Sequence, residues 1–331
     1  MSIQQVAQQA GVSVATVSRA FNSPGQVAPA TRALIERTAQ RLGYVPNASA
    51  RTLRSQRSRV IGVVLPTLIN PVFAECLEGI AQAAAAKGYA ILPMTTEYSL
   101  QREEHAVQQL QASNVDGMVL VVSSPGASQA LQQLASRGVP YALIYNRHPD
   151  HPCVSVDSEQ AVADLVTHLH TLGHQRIAMV CGHRAASDRA QQRSKGFLQG
   201  MAQAGLATPL VLEVPFIHAA AQQIQALLQG SHRPTALVCS NDLLAIRSIR
   251  AAVQMGLRVP HDLSVVGFDG IALGLELTPM LSTIAQPNAD MGARSVSLLL
   301  EALARGEPLQ AHQSITLAHQ WRTGESCAPA P

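Results

Sequence analysis

Five polar residues each follow an apolar run of the kind that forms a buried strand. They are Asn70, Ser123, Asn146, Asn241 and Asp269. In open α/β sheets, ligands bind beyond the carboxyl ends of the parallel strands. Amide, hydroxyl and carboxylate groups gathered there could hydrogen-bond a small polar ligand, so the pattern predicts a ligand cleft.

A second set of side chains, near the N-terminus, suits DNA. In "AGVSVATVSRAFN" (10–22), Gly11 permits a tight turn and Val17 and Phe21 point inward. The opposite face presents Ser13, Val14, Ala15, Thr16, Ser18 and Arg19. Hydroxyls and helix N-terminal amides can meet phosphates, arginine can bond a guanine edge, and small apolar groups can lie on thymine methyls. The segment predicts a helix-turn-helix.

Other chemistries have little support. The chain has no Walker loop and no GxGxxG, GxSxG or HExxH motif. The one histidine cluster, His168, His170 and His174 of "HLHTLGH", has two members that face different ways on a predicted helix. Five cysteines without a CxxC pair indicate reduced thiols rather than a disulfide framework. We therefore expect no metal, no cofactor and no enzymatic activity.

Three short helices must position the DNA-facing residues. "SIQQVAQQA" has apolar residues at helical spacing, with Ser2 placed to cap it, and Ser13 can cap "VATVSRAF". "ATRALIERTAQRLGY" is the third helix, and Gly43 ends it. Residues 1–59 carry eight arginines and one acid, for a net charge of +7, whereas the remainder has a net charge of −4. A basic head on a mildly acidic body indicates nucleic acid at one end only, although a solvated basic face would look the same by charge alone.

From Val60 onward, apolar runs alternate with helical stretches, which predicts βαβ units and parallel sheet. The strand runs are "RVIGVVLP", "YAILPM", "DGMVLVV", "PYALIY", "RIAMVCG", "TALVCS" and "LSVVGF". These are too many for one small sheet, and the tract between Asn146 and Asp157 is typical of a crossing point. The predicted fold is an all-α head followed by an α/β core of two lobes, each a doubly wound parallel sheet.

No apolar stretch reaches the ~18 residues of a membrane helix, and the N-terminus lacks a signal-peptide pattern. We expect a cytoplasmic protein with no membrane partner.

These segments resemble the lactose/galactose repressor family over essentially the whole chain. The matching parts are "IQQVAQQAGVSVATVSRAFN", "RLGYVPNASARTLRS", "IGVVLP", "LGHQRIAMVCG", "RSKGF", "CSNDLLAI", "GLRVPHDLSVVGFD" and "LSTIAQP". The resemblance implies a dimeric or tetrameric repressor of carbohydrate or sugar-acid catabolic genes, which binds pseudo-palindromic operator DNA. It also implies a periplasmic-binding-protein-like core with a small-molecule effector between its lobes. Because no leucine heptads follow Trp321, we expect a homodimer.

The resemblance extends to individual DNA contacts. Val14 and Ala15 occupy the two positions that largely set operator preference in the family, and Asn22 completes the predicted DNA-facing set. Ala28 stands where the family has a capping serine, so we expect the third helix to begin differently, with Thr31 contributing.

The segment "NASARTL" resembles the family's hinge helix. Asn47 can cap it and Ala50 favours helix. Leu53 matches the apolar wedge that enters the minor groove, and Arg51 lies beside this wedge, where it can bind phosphates or the groove. The segment is far shorter than the ~12–15 residues of a marginal isolated helix, so it should fold only on DNA. The alternative is a flexible tether, which leaves Leu53 unexplained.

In the cleft, Arg193 of "AQQRSKGF" matches the family arginine that grips effector oxygens; without the resemblance it would be a surface arginine. Phe73 and Phe216 are candidate apolar walls, although either could be core. The run "SRVIGVVLPTLINPVFAECLEGI" resembles the gluconate-repressor branch, which implies a sugar acid with Arg193 as its carboxylate partner.

The predicted domains are a DNA-binding head over 1–46, a hinge over 47–59 and a core over 60–331. Lobe 1 covers about 60–157 and 287–316, and lobe 2 about 158–284 and 317–325. A transport-type solute-binding protein would share the core but needs a secretion signal, and an enzyme would need a phosphate loop or a nucleophile–base pair. The effector, the operator sequence, the choice between induction and co-repression, and the choice between dimer and tetramer stay open.

Overall fold

The structure, a computed structural model, describes residues 1–44, 57–206, 209–216 and 220–331. Within these ranges the chain forms two compact units, Met1–Ser58 and Arg59–Pro331. The predicted hinge contacts Asn47, Ala50, Arg51 and Leu53 lie outside the described residues.

The first unit is the head, built from three helices: α1 (Ile3–Ala10), α2 (Val14–Asn22) and α3 (Pro29–Leu42). Ser2 and Gln5 form a capping box at the start of α1, and Gly11 ends it in the left-handed conformation, with φ at 65°. Apolar side chains from all three helices form one small core: Val6, Ala7, Ala10, Val17, Ala20, Ile35 and Ala39. The predicted helices and the caps at Ser2 and Ser13 are confirmed.

Helix α3 begins at Pro29 and not within the next turn. Ala28 is its N-cap residue and makes no side-chain capping bond. Pro29 favours this start because its ring fixes φ and because the N–H that it lacks would have no partner at the first helical position. The expectation that the helix begins differently with the help of Thr31 is therefore wrong, because it begins directly after Ala28 without a side-chain cap.

The second unit is the core, which contains two six-stranded sheets. Its strands are β1 (Val60–Leu65), β2 (Ala90–Thr95), β3 (Gly117–Leu120), β4 (Tyr141–Ile144), β5 (Cys153–Val156), β6 (Ile177–Gly182), β7 (Leu210–Val214), β8 (Ala236–Cys239), β9 (Ser264–Asp269), β10 (Ser282–Ala285), β11 (Ile315–Leu317) and β12 (Gln320–Arg322). The strand orders are β11-β5-β4-β3-β1-β2 in lobe 1 and β12-β10-β9-β8-β6-β7 in lobe 2. All pairings are parallel except that of β12 with β10. The predicted fold class, two mostly parallel α/β sheets behind a helical head, is confirmed.

Helices cover both sheets. They are α4 (Pro71–Ala86), α5 (Leu100–Ala112), α6 (Gln129–Ser136), α7 (Ser158–Thr171), α8 (Asp188–Gln203), α9 (Ala221–Leu227), α10 (Asp242–Gln254) and α11 (Asn288–Arg305). The chain passes between the lobes three times: at Asp157, at 286–287, and at 318–319 between β11 and β12. β11 belongs to the sheet of lobe 1 and ends at Leu317, one residue beyond the predicted boundary.

In each lobe, a helix that begins at a crossing packs closely on a helix that begins at the cleft. In lobe 1, α11 meets α4 at Gly79 and Gly292; in lobe 2, α7 meets α8 at Gly196 and Gly200. A Cβ atom at any of these glycines would lie less than 3.0 Å from atoms of the facing helix. The missing side chains therefore set how near the paired helices can lie. None of the helices in the described ranges has the length and apolar character needed to span a bilayer.

Candidate ligand cleft and DNA-facing helix

A cavity lies between the two lobes of the core. It has about 350 Å³ of space outside the protein atoms, part of it open to solvent. Six of the eight predicted effector residues line it: Asn70, Phe73, Arg193, Phe216, Asn241 and Asp269. The six residues bring amide, guanidinium and carboxylate groups and two aromatic rings to one cavity.

Arg193 and Asp269 form a buried ion pair in this cleft. Arg193 Nη1 lies 3.1 Å from Asp269 Oδ1, and the two side chains are 6% and 3% exposed. The guanidinium also donates to the carbonyl of Ser240 and lies 3.8 Å above the ring centre of Phe268. Burial raises the pKa of Asp269 and lowers that of Arg193, while the pair's mutual attraction opposes both shifts.

Further donors hold the Asp269 carboxylate. Gln286 Nε2 donates to Oδ1 over 3.0 Å, and Asn70 Nδ2 lies 3.5 Å from Oδ2. Asp269 adopts a positive φ of 122°, which few residues other than glycine tolerate, at the carboxyl end of β9. The carboxylate is therefore fixed in place before any ligand contacts it.

Two of the predicted cleft residues also begin helices. Asn70 caps α4 by accepting from the N–H of Val72 over 3.3 Å, and Asn241 caps α10 by accepting from the N–H of Leu244 over 2.8 Å. Each amide sits at the end of a strand because the following helix needs a cap there. The capping role explains their positions and leaves the side-chain nitrogens for other partners.

The structure does not bring Ser123 and Asn146 to the cavity wall. Ser123 donates its N–H and hydroxyl to Glu103 Oε1, over 2.8 and 2.6 Å. Asn146 exchanges two 2.9 Å bonds with the backbone of Val122 and donates to Asp188 over 2.6 Å. Both side chains use their polar groups inside the protein, where they support the residues that face the cavity.

The sequence did not predict seven residues of the cavity wall: Val72, Tyr98, Tyr145, Ser187, Arg189, Ala190 and Ser240. Two of them, Tyr98 and Arg189, have side chains suited to a ligand. Tyr98 stacks on Phe216 across the lobes, with ring centres 4.6 Å apart and planes 11° from parallel. It follows Glu97 on a loop where both residues have positive φ, 51° and 61°, and no sequence pattern predicts this for non-glycine residues. Arg189, by contrast, lies one helical turn before Arg193, and that spacing was available in the sequence.

The arginines of the cleft keep buried N–H groups without partners. Arg189 Nη1 donates to the carbonyl of Val122 over 3.0 Å, but its Nη2 has no protein partner, and neither has Nε of Arg193. Unmade hydrogen bonds of buried charged groups are costly, by about 1–3 kcal/mol or more each. Oxygen atoms of a ligand could relieve that cost.

Buried acids outnumber the arginines around the cleft. The acids are Glu103, Asp188, Asp242 and Asp269, and the arginines are Arg189 and Arg193. Burial and the nearby charge of Asp269 raise the pKa of Asp242 to about 7. Burial also raises the pKa of Asp188, against the opposing effect of Arg189. Because burial favours the neutral form of these acids, their number does not set the charge of the cleft; the charged residues that line the cavity are Arg189, Arg193 and Asp269.

On the head, the predicted DNA-facing residues lie on the outer side of α2 and its cap. Ser13 accepts from the N–H of Thr16 over 3.1 Å, and Arg19 Nε donates to the carbonyl of Ala15 over 3.3 Å. Ser13, Val14, Ala15, Arg19 and Asn22 are exposed, whereas Thr16 and Ser18 are half-buried. Asn22 Nδ2 donates to the carbonyl of Ser18 over 2.9 Å. The exposed members combine small residues at the start of α2 with Arg19 and Asn22 in its last turns.

Two of the three histidines in the predicted cluster have structural partners. His174 is buried, with Nδ1 3.0 Å from the hydroxyl of Thr235 and Nε2 3.0 Å from the carbonyl of Ala328. His168 lies against Trp321, with ring centres 5.2 Å apart. Over the described ranges, no group of three potential metal-ligating side chains comes together.

Comparison with known proteins agrees with this architecture. Residues 2–47 match the family model for bacterial regulatory proteins of the lacI family, and 166–327 match a periplasmic binding protein-like domain. The HTH-type transcriptional regulator DegA of Bacillus subtilis is 33% identical over 298 residues, which are 88% of each chain. This chain belongs to the LacI family. It is a DNA-binding transcriptional regulator and not an enzyme.

Solved structures of similar proteins span nearly this whole LacI-family chain. A lac repressor dimer bound to operator and the anti-inducer ONPF has a TM-score of 0.88 at 27% identity, covering 99% of both chains. The transcriptional regulator CelR in complex with cellobiose has a TM-score of 0.71 at 26% identity, covering 98% of this chain and 99% of the other.

Proposed function

We propose that this regulator is a homodimeric repressor of carbohydrate catabolic genes. It binds pseudo-palindromic operator DNA, and a small polyhydroxy ligand in the cleft controls its affinity for the operator. The observation that carries the ligand part is the set of buried donors and acceptors around one cavity. Arg193 and Arg189 keep unpartnered N–H groups there, and Asp269 is fixed beside them.

A sugar fits this set because its hydroxyls both donate and accept. Hydroxyl oxygens can accept from Arg193 and Arg189, and hydroxyl hydrogens can be donated to Asp269. The rings of Phe73, Phe216 and Tyr98 supply apolar surface for the C–H faces of a sugar. CelR, a protein of similar structure, was solved with cellobiose.

The charge of the cleft favours a neutral sugar over a sugar acid. The charge of Arg193 is compensated by Asp269 at 3.1 Å, and Arg189 lies 3.2 Å from Asp188. A ligand carboxylate would enter beside Asp269, where like charges repel. A sugar acid, which the resemblance to the gluconate branch implies, is the second candidate; Arg193 as its carboxylate partner is the argument for it.

We assign DNA binding to the outer face of α2 together with the hinge. The face of Ser13, Val14, Ala15, Thr16, Ser18, Arg19 and Asn22 reads the major groove. The hinge residues Asn47, Ala50, Arg51 and Leu53 bind at the operator centre, with Leu53 as the minor-groove wedge. The net charge of +7 over 1–59 supports this assignment. The lac repressor dimer, which has a similar fold, was solved on its operator.

A thermal-shift screen of neutral sugars and of aldonic and uronic acids tests the ligand. A ligand at millimolar concentration with micromolar Kd adds roughly 4 kcal/mol to the free energy of unfolding. We expect a neutral sugar to give the shift, and Arg193→Ala to abolish both that shift and the effect of the sugar on operator binding in gel-shift assays.

Arg294→Ala is the matched control because it removes an arginine that is 58% exposed on α11. It should leave the thermal shift unchanged. A shift from sugar acids alone would exclude the neutral sugar, and an unchanged response in Arg193→Ala would exclude the cleft assignment.

A further inference from the structure

Glu103 is a buried acid that the proposed ligand contacts do not use. It lies in the first turn of α5 in lobe 1 and is 1% exposed. Its Oε1 accepts both the N–H and the hydroxyl of Ser123. Its Oε2 is buried and has no hydrogen-bond partner.

The residue that Glu103 holds connects the two lobes. While the N–H of Ser123 points to Glu103, its carbonyl accepts the N–H of Asp188 over 2.9 Å. Asp188 is the first residue of α8 in lobe 2. The path from α5 to α8 therefore runs from Glu103 through Ser123 to the backbone of Asp188.

Helix α8 carries the arginines of the cleft. Arg189 and Arg193 lie on its first two turns, and Arg189 also donates to the carbonyl of Val122, the residue before Ser123. Asn146 of lobe 1 donates to the Asp188 carboxylate as well. The start of α8 is thus bonded to residues 122–123 and to Asn146 of lobe 1, and Glu103 holds Ser123 through its N–H and hydroxyl.

The chemistry of Oε2 indicates which form of Glu103 does this. An ionised oxygen without a partner is costly in a buried place, whereas a neutral carboxyl group costs far less. Burial raises the pKa of Glu103, against the effects of the Ser123 bonds and of Arg189; Asp188 adds to the rise. Arg189 and Asp188 are the charged side chains that act on it from lobe 2.

We propose that Glu103, as the neutral acid, is a positioning residue that orients Ser123 so that its carbonyl holds the start of α8 in place. The proposal concerns the helix that carries the proposed ligand arginines, and so builds on the proposed function. Raising the pH ionises Glu103, and although the carboxylate accepts more strongly from Ser123, its charge repels that of Asp188 and so weakens the contact at the start of α8. The contribution is complete at pH values below the ordinary pKa of a glutamic acid, and is lost as the pH rises through the raised pKa of the folded protein.

Hydrogen exchange of the Asp188 amide tests this without any ligand. In the full-length chain, Glu103→Ala should accelerate exchange at Asp188 on the order of 10-fold, because Ser123 loses its buried acceptor. Exchange at Phe268 in β9, which reports the folding of lobe 2, should not change. Glu103→Gln keeps an acceptor and is permanently neutral, so it should protect Asp188 at every pH.

The pH dependence of hydrogen exchange at Asp188 distinguishes the proposed role of Glu103 from a role in packing alone. The protection of Asp188 in the natural chain, divided by that in Glu103→Gln, should fall as the buffer changes from mildly acidic to mildly alkaline. Glu104→Gln, one residue away and only half-buried, is the control: the protection of Asp188 in the natural chain divided by that in Glu104→Gln should not change with pH. Unaltered Asp188 exchange in Glu103→Ala, or a ratio that is constant with pH, would overturn the proposal. A failure to find a sugar ligand would affect neither measurement.

Discussion

Removal of the buried cation in the cleft should destabilise the core by an amount that depends on pH. Arg193→Met replaces the guanidinium with an apolar chain and leaves Asp269, 2% exposed, with Gln286 and Asn70 as its remaining donors. Breaking a buried ion pair from one side typically costs about 3–5 kcal/mol, since the other charge stays buried without compensation. We expect a loss of this size at neutral pH.

The loss should shrink in acid because Asp269 can then take up a proton. Burial already raises the pKa of Asp269 with Arg193 in place, and removing the cation raises it further. The folded variant therefore binds this proton more tightly than the unfolded chain does. Its stability rises as the pH falls, by up to about 1.4 kcal/mol per pH unit, until both states are protonated.

Urea unfolding at several pH values, followed by fluorescence of the single tryptophan, Trp321, measures this loss in lobe 2. Adding Asp269→Asn to Arg193→Met should recover much of the stability, because asparagine is neutral and tolerates the positive φ at this position. A variant within about 1 kcal/mol of the natural chain at neutral pH would refute the reasoning, since the typical cost is larger. A loss that does not vary with pH, or no recovery in the double variant, would also refute it.

Four further outcomes are expected. Gly182→Ala should lower the free energy of unfolding by about 1–3 kcal/mol in urea titrations, because its Cβ would overlap the Phe216 ring; an unchanged midpoint would contradict the packing. His174→Gln should flatten the acid sensitivity of the melting temperature. Burial lowers the pKa of His174 below its usual 6.5, so the natural chain loses stability as the pH falls below that value, and an equally steep profile in the variant would speak against this origin. Operator affinity should fall steeply between low and physiological salt, by about 10³-fold or more, and a flat titration would remove the basic head from the mechanism. Leu53→Ala should weaken operator binding far more than binding to scrambled DNA and should reduce the bend in circular-permutation gel shifts, whereas equal losses on both duplexes would leave Leu53 as part of a tether.

The elements with strong local signals could be predicted from the sequence. The seven apolar runs all form strands, and the caps at Ser2 and Ser13 begin helices where the hydroxyls stand. The strands β5, β7, β10, β11 and β12 were not predicted. Of these, β7, β11 and β12 lie at sheet edges, are three to five residues long and are largely half-exposed, so they lack a continuous apolar run. β5 and β10 are buried inside their sheets but are only four residues long, which leaves a short apolar signal.

The location of the candidate cleft could be predicted from the sequence, but the set of residues that face it could not. Polar residues at strand ends do gather between the lobes, as the parallel topology requires. Which of them face the cavity depends on partners distant in the chain: Glu103 engages Ser123, and Asp188 engages Asn146. Tyr98 depends on backbone conformations that no local pattern indicates.

The close packing of the paired helices at their glycines has a consequence for the response of the regulator to its ligand. A methyl group at Gly79 or Gly196 would push apart two helices, one of which begins at the cleft and the other at a crossing between the lobes. Because each lobe is packed on both sides of its sheet, we expect the displacement to reach the crossings and to change the angle between the lobes. Natural variation at these sites would therefore tune the ligand concentration at which genes switch, without altering any residue that contacts ligand or DNA.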